Sequence, residues 1–205
     1  MKTTKEMNTT LDLRPMEDLV TRIDAQLSRP GGRVVGFIAS GSGEGTSTLA
    51  RGYARAVVSL LRRRVLLLCA IDENASDPGV LPALAAGLPL DDCLQALPGG
   101  GFTGSLGGHN AGVLWELQAR TDLWQELRKR FDEIVIDLPA TSISHIGLTS
   151  AAQCDGVVIV LEAEKTRAPV VEKLIASLRA VRAPLLGTVL NKRRYYLPQR
   201  VYRWL

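Results

Sequence analysis

The 205-residue chain lacks the features of membrane and secreted proteins. No apolar stretch approaches the roughly 20 residues that a membrane-spanning helix needs. The first ten residues are polar and contain no apolar signal-peptide core. A cytoplasmic location is therefore expected. Hydrophobic residues make up 46% of the chain and charged residues 22%, which is typical of a globular domain with a sizeable core.

Cysteine and histidine are scarce. The three cysteines, Cys69, Cys93 and Cys154, match no metal-ligand spacing, so we interpret them as reduced, small core residues. The two histidines, His109 and His145, have no evident carboxylate partner in the sequence, and we predict structural or exposed roles for them. These residue types therefore indicate neither a metal centre nor a disulfide framework.

Acidic residues are absent from the last fourteen positions, which carry five basic residues and three of the four tyrosines. Because the excess positive charge belongs to this one segment, it favours a local docking surface over nucleic-acid binding. Contact with a partner protein, contact with an anionic membrane surface, and packing back onto the domain remain alternatives. The candidate contact residues are Tyr195, Tyr196, Arg200, Tyr202, Arg203 and Trp204.

Hydrophobic periodicity predicts an α/β domain. Short apolar runs typical of buried parallel strands alternate with segments of helical period, which implies a doubly wound, mainly parallel sheet with helices on both faces. The predicted strands are 34–39, 64–70, 131–137, 156–161 and 184–190. The predicted helices are 15–28, 47–61, 113–130 and 170–181.

The domain boundaries follow from the same pattern. Residues 1–14 are predicted to be disordered, residues 15–191 to form a P-loop-like domain, and residues 192–205 to form a basic, aromatic tail. Six glycines between positions 99 and 108 predict a mobile loop over 71–112.

A glycine-rich loop at 40–48 separates the first predicted strand from the following helix. Backbone N–H groups and the helix dipole at such a turn favour phosphate binding. The phosphate-loop pattern has lysine before its hydroxyl residue, whereas here Thr46 precedes Ser47. Losing a hydrogen bond from a charged group costs roughly 1.5–3 kcal/mol, or about 10- to 150-fold in affinity. A tight turn without a ligand is the alternative.

Asp137 ends a predicted buried strand, where its carboxylate would orient Mg²⁺ or water at the carboxyl edge of the sheet. A structural cap for the turn before Pro139 is the alternative.

Several segments resemble one known family. The loop reads SGEGTST at 42–48, similar to the Pro-Gly-Glu-Gly-Lys-Ser-Thr loop of the bacterial tyrosine kinases of capsule and exopolysaccharide synthesis, the CpsD/CapB-like family within the MinD/ParA-like superfamily. The segments FDEIVIDLPA at 131–140, CDGVVIV at 154–160 and LGTVLN at 186–191 resemble three further motifs of that family. The resemblance extends over about residues 33–191.

The resemblance implies a site for ATP or ADP with Mg²⁺, a tyrosine-rich C-terminus that is phosphorylated, and an inner-membrane polysaccharide co-polymerase or synthase complex as partner. Ser47 and Asp137 would hold Mg²⁺, and Asn191 would lie near the base. The nucleotide-binding candidates are Gly43, Glu44, Gly45, Thr46, Ser47, Thr48 and Asn191.

The chain also departs from the family. Thr46 replaces the loop lysine, and Cys69 and Ile71 stand at the two aspartate positions of the family's second acidic motif, with Asp72 one residue late. The first helix lacks the arginine-rich self-association pattern, although self-association through another surface stays open.

We therefore predict a pseudo-kinase with a degenerate phosphate loop and weakened nucleotide binding, which acts as a regulatory or scaffold partner in polysaccharide export at the inner membrane. One alternative is an active autokinase or ATPase with a variant loop. Another is a MinD/ParA-like accessory protein of cellulose secretion.

Overall fold

The computed structural model describes residues 14–27, 31–70, 78–107 and 111–192. The predicted disordered segment lies outside these ranges apart from Arg14, and the predicted tail lies outside them apart from Lys192. Ile71, Asp72 and His109 are also outside the described residues.

Helices and strands alternate along the described chain. The helices are α1 Arg14–Gln26, α2 Thr46–Leu61, α3 Val80–Ala85, α4 Ala111–Gln118, α5 Thr121–Arg130, α6 Ile146–Ala151 and α7 Ala168–Ala180, with a 3₁₀ helix at Leu90–Cys93. The strands are β1 Arg33–Ala39, β2 Val65–Cys69, β3 Gln95–Ala96, β4 Phe102–Ser105, β5 Glu133–Asp137, β6 Gly156–Glu162 and β7 Leu185–Asn191. All five predicted strands are present, with bounds that differ by at most two residues.

The seven described strands form one sheet in the order β3-β4-β2-β5-β1-β6-β7. All neighbouring pairs are parallel except β3 and β4. The register places Phe37 of β1 and Cys69 of β2 beside Asp137 of β5. Because the carboxyl ends of parallel strands meet at one edge, the loops that follow these strands gather there. The predicted doubly wound α/β fold is confirmed.

Residues of β1 alternate between two hydrophobic cores. Val35 and Phe37 face the core formed with α1 and α2, where Val20 of the first helix is buried. Val34 and Ile38 face the opposite core, to which α3 through α7 contribute. Helices therefore cover both faces of the sheet, which explains why its central strands have continuous apolar sequences.

The helix predicted over 113–130 is instead two helices, α4 and α5. Arg120 is extended, with φ −79° and ψ 98°, and interrupts the helical path. The buried indole N–H of Trp124 donates to the carbonyl of Gln118 at 3.1 Å, which satisfies one of the free acceptors at the end of α4. The apolar pattern of the two helices is continuous in sequence, so it does not indicate the break.

The prediction of a mobile loop over 71–112 is wrong for residues 78–107, which contain α3, the 3₁₀ helix, β3 and β4. Gly99, Gly100 and Gly101 have φ values of +94°, +109° and +85°, a region that glycine adopts without steric cost. The amide of Leu97 donates to the carbonyl of Gly101 at 3.1 Å. These glycines therefore form a tight turn between β3 and β4.

A buried ionic cluster joins α1 to the sheet and to α2. Glu133 of β5 is fully buried and accepts hydrogen bonds from Tyr53 at 2.5 Å, Arg33 at 3.0 Å and Arg63 at 3.2 Å. Asp24 of α1 pairs with both arginines, at 3.0 and 2.6 Å. Burial and the neighbouring Glu133 carboxylate raise the pKa of Tyr53, so its hydroxyl stays a donor to that carboxylate.

We predict that Glu133→Gln lowers the free energy of unfolding by about 3 kcal/mol, because the buried Arg33 loses the more buried of its two carboxylate partners. Urea denaturation followed by tryptophan fluorescence measures the change. Glu126→Gln is the matched control: it breaks ion pairs of the exposed Glu126 with Lys129 and Arg130 and should cost no more than about 1 kcal/mol. Equal effects of the two substitutions would contradict the prediction.

Candidate functional site

The glycine loop turns between β1 and α2 at the carboxyl edge of the sheet. Gly43 and Gly45 have left-handed φ values of +80° and +97°. Gly45 is also the N-cap of α2, and no side chain caps that helix end. A Cβ atom at Gly45 would lie 2.1 Å from Nδ2 of Asn191, whereas one at Gly43 would meet nothing within 4 Å. The open helix end leaves backbone donors available for an anion.

The buried side chain of Glu44 stabilises the conformation of the loop. Its Oε1 accepts hydrogen bonds from the Ser40 hydroxyl at 2.8 Å and from the Gly41 amide at 3.0 Å. The residue is only 6% exposed and does not line the cavity above the loop. Glu44, a predicted nucleotide-binding residue, therefore holds the shape of the loop through its side chain.

The end of β7 is hydrogen-bonded to the same loop. Asn191 Nδ2 donates to the Glu44 carbonyl at 2.9 Å, and Lys192 Nζ donates to the Gly43 carbonyl at 2.5 Å. Asn191, predicted to lie near the base, is in this structure a partner of the loop backbone.

Asp137 and Ser47 meet beneath the loop. The Ser47 hydroxyl lies close enough to the Asp137 carboxylate to influence its pKa. Burial raises the pKa of Asp137, and the Ser47 hydroxyl together with the nearby Arg51 charge offsets part of that rise. The two predicted Mg²⁺ ligands are thus brought together by β5 and α2.

Hydroxyl and carboxylate oxygens fit Mg²⁺, which usually keeps several waters and takes one or two carboxylates together with substrate phosphates. The described residues contain no group of three or more His, Cys, Asp or Glu side chains that could hold a metal alone. Ser47 and Asp137 would therefore hold Mg²⁺ jointly with a phosphate ligand.

A cavity of about 650 Å³ opens above the loop, a volume within the usual range for small-ligand sites. Thr46 lines it without contributing charge, and Cys69 lines it at the end of β2 beside Asp137. Ile143 lies at its edge and is 64% exposed. The lining residues are Gly41, Ser42, Gly43, Gly45, Thr46, Ser47, Thr48, Arg51, Cys69, Asp137, Leu138, Pro139, Ala140, Ile143 and Lys192.

Two cationic residues of this cavity, Arg51 and Lys192, are not among the predicted site residues. Arg51 lies four residues after Ser47 on α2, and this spacing places the two side chains on one helical face. The sequence therefore contains a signal that Arg51 lies near the site. Lys192 was assigned to the basic tail. Its position directly after β7 is the available signal, because loops that follow parallel strands meet at the ligand-binding edge. The predicted tail residues from Tyr195 onward lie outside the described part of the chain.

The sheet order, the glycine loop and Asp137 at the end of β5 define a P-loop NTPase fold of the MinD/ParA-like kind. No protein-family model matches the chain. In sequence, the chain is 27% identical over 189 residues to the succinoglycan biosynthesis transport protein ExoP of Rhizobium meliloti (strain 1021), a match that covers 82% of this chain. The chain spans only 23% of the length of that relative.

Solved structures confirm the fold. The VpsO kinase domain superposes with a TM-score of 0.72 at 23% identity, covering 89% of this chain and 95% of that one. The kinase domain of the Escherichia coli tyrosine kinase ETK gives 0.74 at 17% identity, covering 91% and 78%. Cobyrinic acid a,c-diamide synthase from Mycobacterium smegmatis, with bound ADP and magnesium, gives 0.59 at 19% identity, covering 82% and 83%.

The predicted resemblance is therefore confirmed: the chain is similar in sequence to an exopolysaccharide biosynthesis protein and has the fold of bacterial tyrosine kinase domains. Among the described helices, none is both long enough and apolar enough to cross a membrane.

We predict that Gly45→Ala lowers the free energy of unfolding by at least about 2 kcal/mol, since it adds a clash with Asn191 to the cost of a left-handed φ. Gly43→Ala, with a similar φ but open space, should cost only about 1 kcal/mol. Chemical denaturation measures both. Adding Asn191→Ala to Gly45→Ala should recover part of the difference, because it removes the clash but not the positive φ. Equal losses at both glycines would refute this explanation.

We further predict that Asp137→Asn stabilises the chain increasingly as pH rises. Because the folded-state pKa of Asp137 is raised, the wild type loses stability when the buried carboxyl ionises, and the variant does not. The expected gain in Tm at neutral pH is about 2 °C or more, shrinking toward acidic pH.

Thermal unfolding at several pH values measures the effect. Asp122→Asn is the control, and it should change the stability in the opposite direction. The hydrogen bond from Arg120 lowers the pKa of Asp122, so ionisation of Asp122 favours the folded state. Parallel pH profiles for wild type and Asp137→Asn would contradict the prediction.

Proposed function

We propose that this chain is a weakly nucleotide-binding pseudo-kinase, which acts as a regulatory or scaffold partner of an inner-membrane polysaccharide co-polymerase in exopolysaccharide biosynthesis and export. The observation that carries the proposal is a retained phosphate-loop cavity in which Thr46 stands at the lysine position. Phosphoryl transfer depends mainly on positioning and on charge stabilisation. A threonine hydroxyl supplies no positive charge.

The acidic side of the site supports the same proposal. Cys69 occupies the strand end beside Asp137, where the family resemblance implies an aspartate. Asp137 is the one carboxylate that lines the cavity in the described part of the chain. Its oxygens and Ser47 could orient Mg²⁺ on a bound nucleotide. A second carboxylate to activate the tyrosine hydroxyl is missing from these lining residues.

The biological setting comes from the sequence relative. ExoP is named as a succinoglycan biosynthesis transport protein, and this chain corresponds in length to 23% of it. We therefore place the chain at the inner membrane through a partner protein and assign it to polysaccharide export. The basic, aromatic tail from Arg193 onward is the proposed contact segment.

A second candidate function, an active autokinase or ATPase, is favoured by one observation. Arg51 and Lys192 line the cavity and supply positive charge that the loop itself lacks. Under this alternative, Tyr195, Tyr196 and Tyr202 would be the phosphorylated residues.

We predict that the wild-type chain, incubated with radiolabelled ATP and Mg²⁺, transfers no phosphate to its tyrosines. Thr46→Lys should strengthen ATP binding by about 10- to 150-fold, because it restores a charged hydrogen bond to the phosphates. Calorimetric titration measures the binding, and mass spectrometry detects any label on tyrosine. Phosphorylation of Tyr195, Tyr196 or Tyr202 by the wild type would end the pseudo-kinase proposal and establish the alternative.

The scaffold role has its own test, in which the tagged chain is recovered from membranes that contain a polysaccharide co-polymerase. Co-purification should be equal for the wild type and for Asp137→Asn, since the proposed role depends on protein contacts. Failure to recover the co-polymerase would contradict the role, and recovery of a cellulose synthase would point to cellulose secretion.

A further inference from the structure

We infer that Arg51 and Lys192 together supply part of the positive charge that a loop lysine would give, so that the cavity retains weak binding of the polyphosphate group of a nucleotide through cations from α2 and from the end of β7. The inference deepens the proposed function, because it rests on the same weak nucleotide site and assigns the residues that determine its affinity. Neither residue belongs to the loop motif.

The charge balance of the cavity favours an anion. Two cations, Arg51 and Lys192, and one carboxylate, Asp137, line it in the described part of the chain. The uncapped N-terminus of α2 adds partial positive charge. The lining therefore carries a net positive charge although Thr46 is neutral.

The ammonium group of Lys192 is held at the apex of the loop. It donates to the Gly43 carbonyl at 2.5 Å and lies 3.4 Å from a carboxylate oxygen of Glu162. An ammonium group has three donors, so one remains for a phosphate oxygen. The Lys192 side chain is 46% exposed, which leaves it accessible to a ligand. The neighbouring hydrogen bond of Asn191 to the Glu44 carbonyl fixes the strand end from which Lys192 extends.

Arg51 extends from α2. It lies one helical turn beyond Ser47 and lines the cavity close enough for its charge to lower the pKa of Asp137. Within the described residues, no carboxylate forms a salt bridge with its guanidinium. Its planar group can therefore pair with a phosphate in two parallel hydrogen bonds.

Lys165 provides a comparison within the same charge cluster. It pairs with Glu162 at 3.0 Å, as Lys192 does at 3.4 Å, but it does not line the cavity. A general effect of positive charge near Glu162 should therefore depend equally on both lysines. A phosphate site at the loop should depend on Lys192 and not on Lys165.

The ligand class follows from the size of the cavity and from its donors. A volume of about 650 Å³ exceeds what a single phosphate ion needs, and Ser47 with Asp137 offers oxygen ligands for Mg²⁺ beside the loop. These features together fit a nucleoside diphosphate with its Mg²⁺.

The test is calorimetric titration of the purified 205-residue chain with ADP and Mg²⁺. Lys192→Gln, which keeps a donor for the Gly43 carbonyl but removes the charge, should weaken ADP binding by about 10-fold or more, and Arg51→Gln should do the same. Lys165→Gln should leave the affinity within about twofold of wild type.

Glu162→Gln should strengthen ADP binding, because it releases Lys192 from a competing carboxylate. Pyrophosphate should show the same dependence, and adenosine should not bind.

Thermal unfolding of each variant establishes that it is folded. Wild-type affinity in both Lys192→Gln and Arg51→Gln would overturn the inference, as would the absence of ADP binding to the wild type or an equal loss in Lys165→Gln. The result is independent of the scaffold proposal, because the titration contains no partner protein. If co-purification failed while ADP binding still depended on Lys192, only the partner role would be refuted.

Discussion

The site depends on the attachment of the β7 end to the glycine loop. β7 lies at one edge of the described sheet, and only β6 separates it from β1, whose carboxyl end begins the loop. Asn191 and Lys192 reach the carbonyls of Glu44 and Gly43 across that gap. These contacts require glycine at position 45, since any Cβ there would occupy the place of the Asn191 amide. The loop is therefore shaped by a strand end that is distant in sequence.

The fold is stabilised at a distance from the site, by two hydrophobic cores and by the Glu133 cluster. Glu133 lies at the opposite end of β5 from Asp137, so one strand carries the main buried ionic group at one end and the candidate Mg²⁺ ligand at the other. The residues of the cavity are therefore separate from the ionic cluster that joins α1 and α2 to the sheet. A retained phosphate-loop fold with Thr46 and Cys69 in the cavity is consistent with that arrangement.

Much of the fold was predictable because the chain alternates buried apolar strands with amphipathic helices, and both patterns are local. The break between α4 and α5 was not, because the apolar pattern continues across the extended Arg120. The glycines at 99–101 were taken for a mobile loop, whereas they form a turn that pairs β3 with β4. In the site, the loop, Ser47 and Asp137 were found from their motifs. Arg51 and Lys192 belong to no motif and were missed.

The sequence by itself determined five of the seven described strands, the position of the glycine loop and the absence of its lysine, because each is a property of neighbouring residues. It could not determine the charge of the finished cavity. That charge depends on Lys192, which lies 149 positions from the Gly43 carbonyl it contacts, and on the face of α2 that carries Arg51. Only the parallel sheet, by gathering the carboxyl ends of distant strands at one edge, brings these groups into the lining of one cavity.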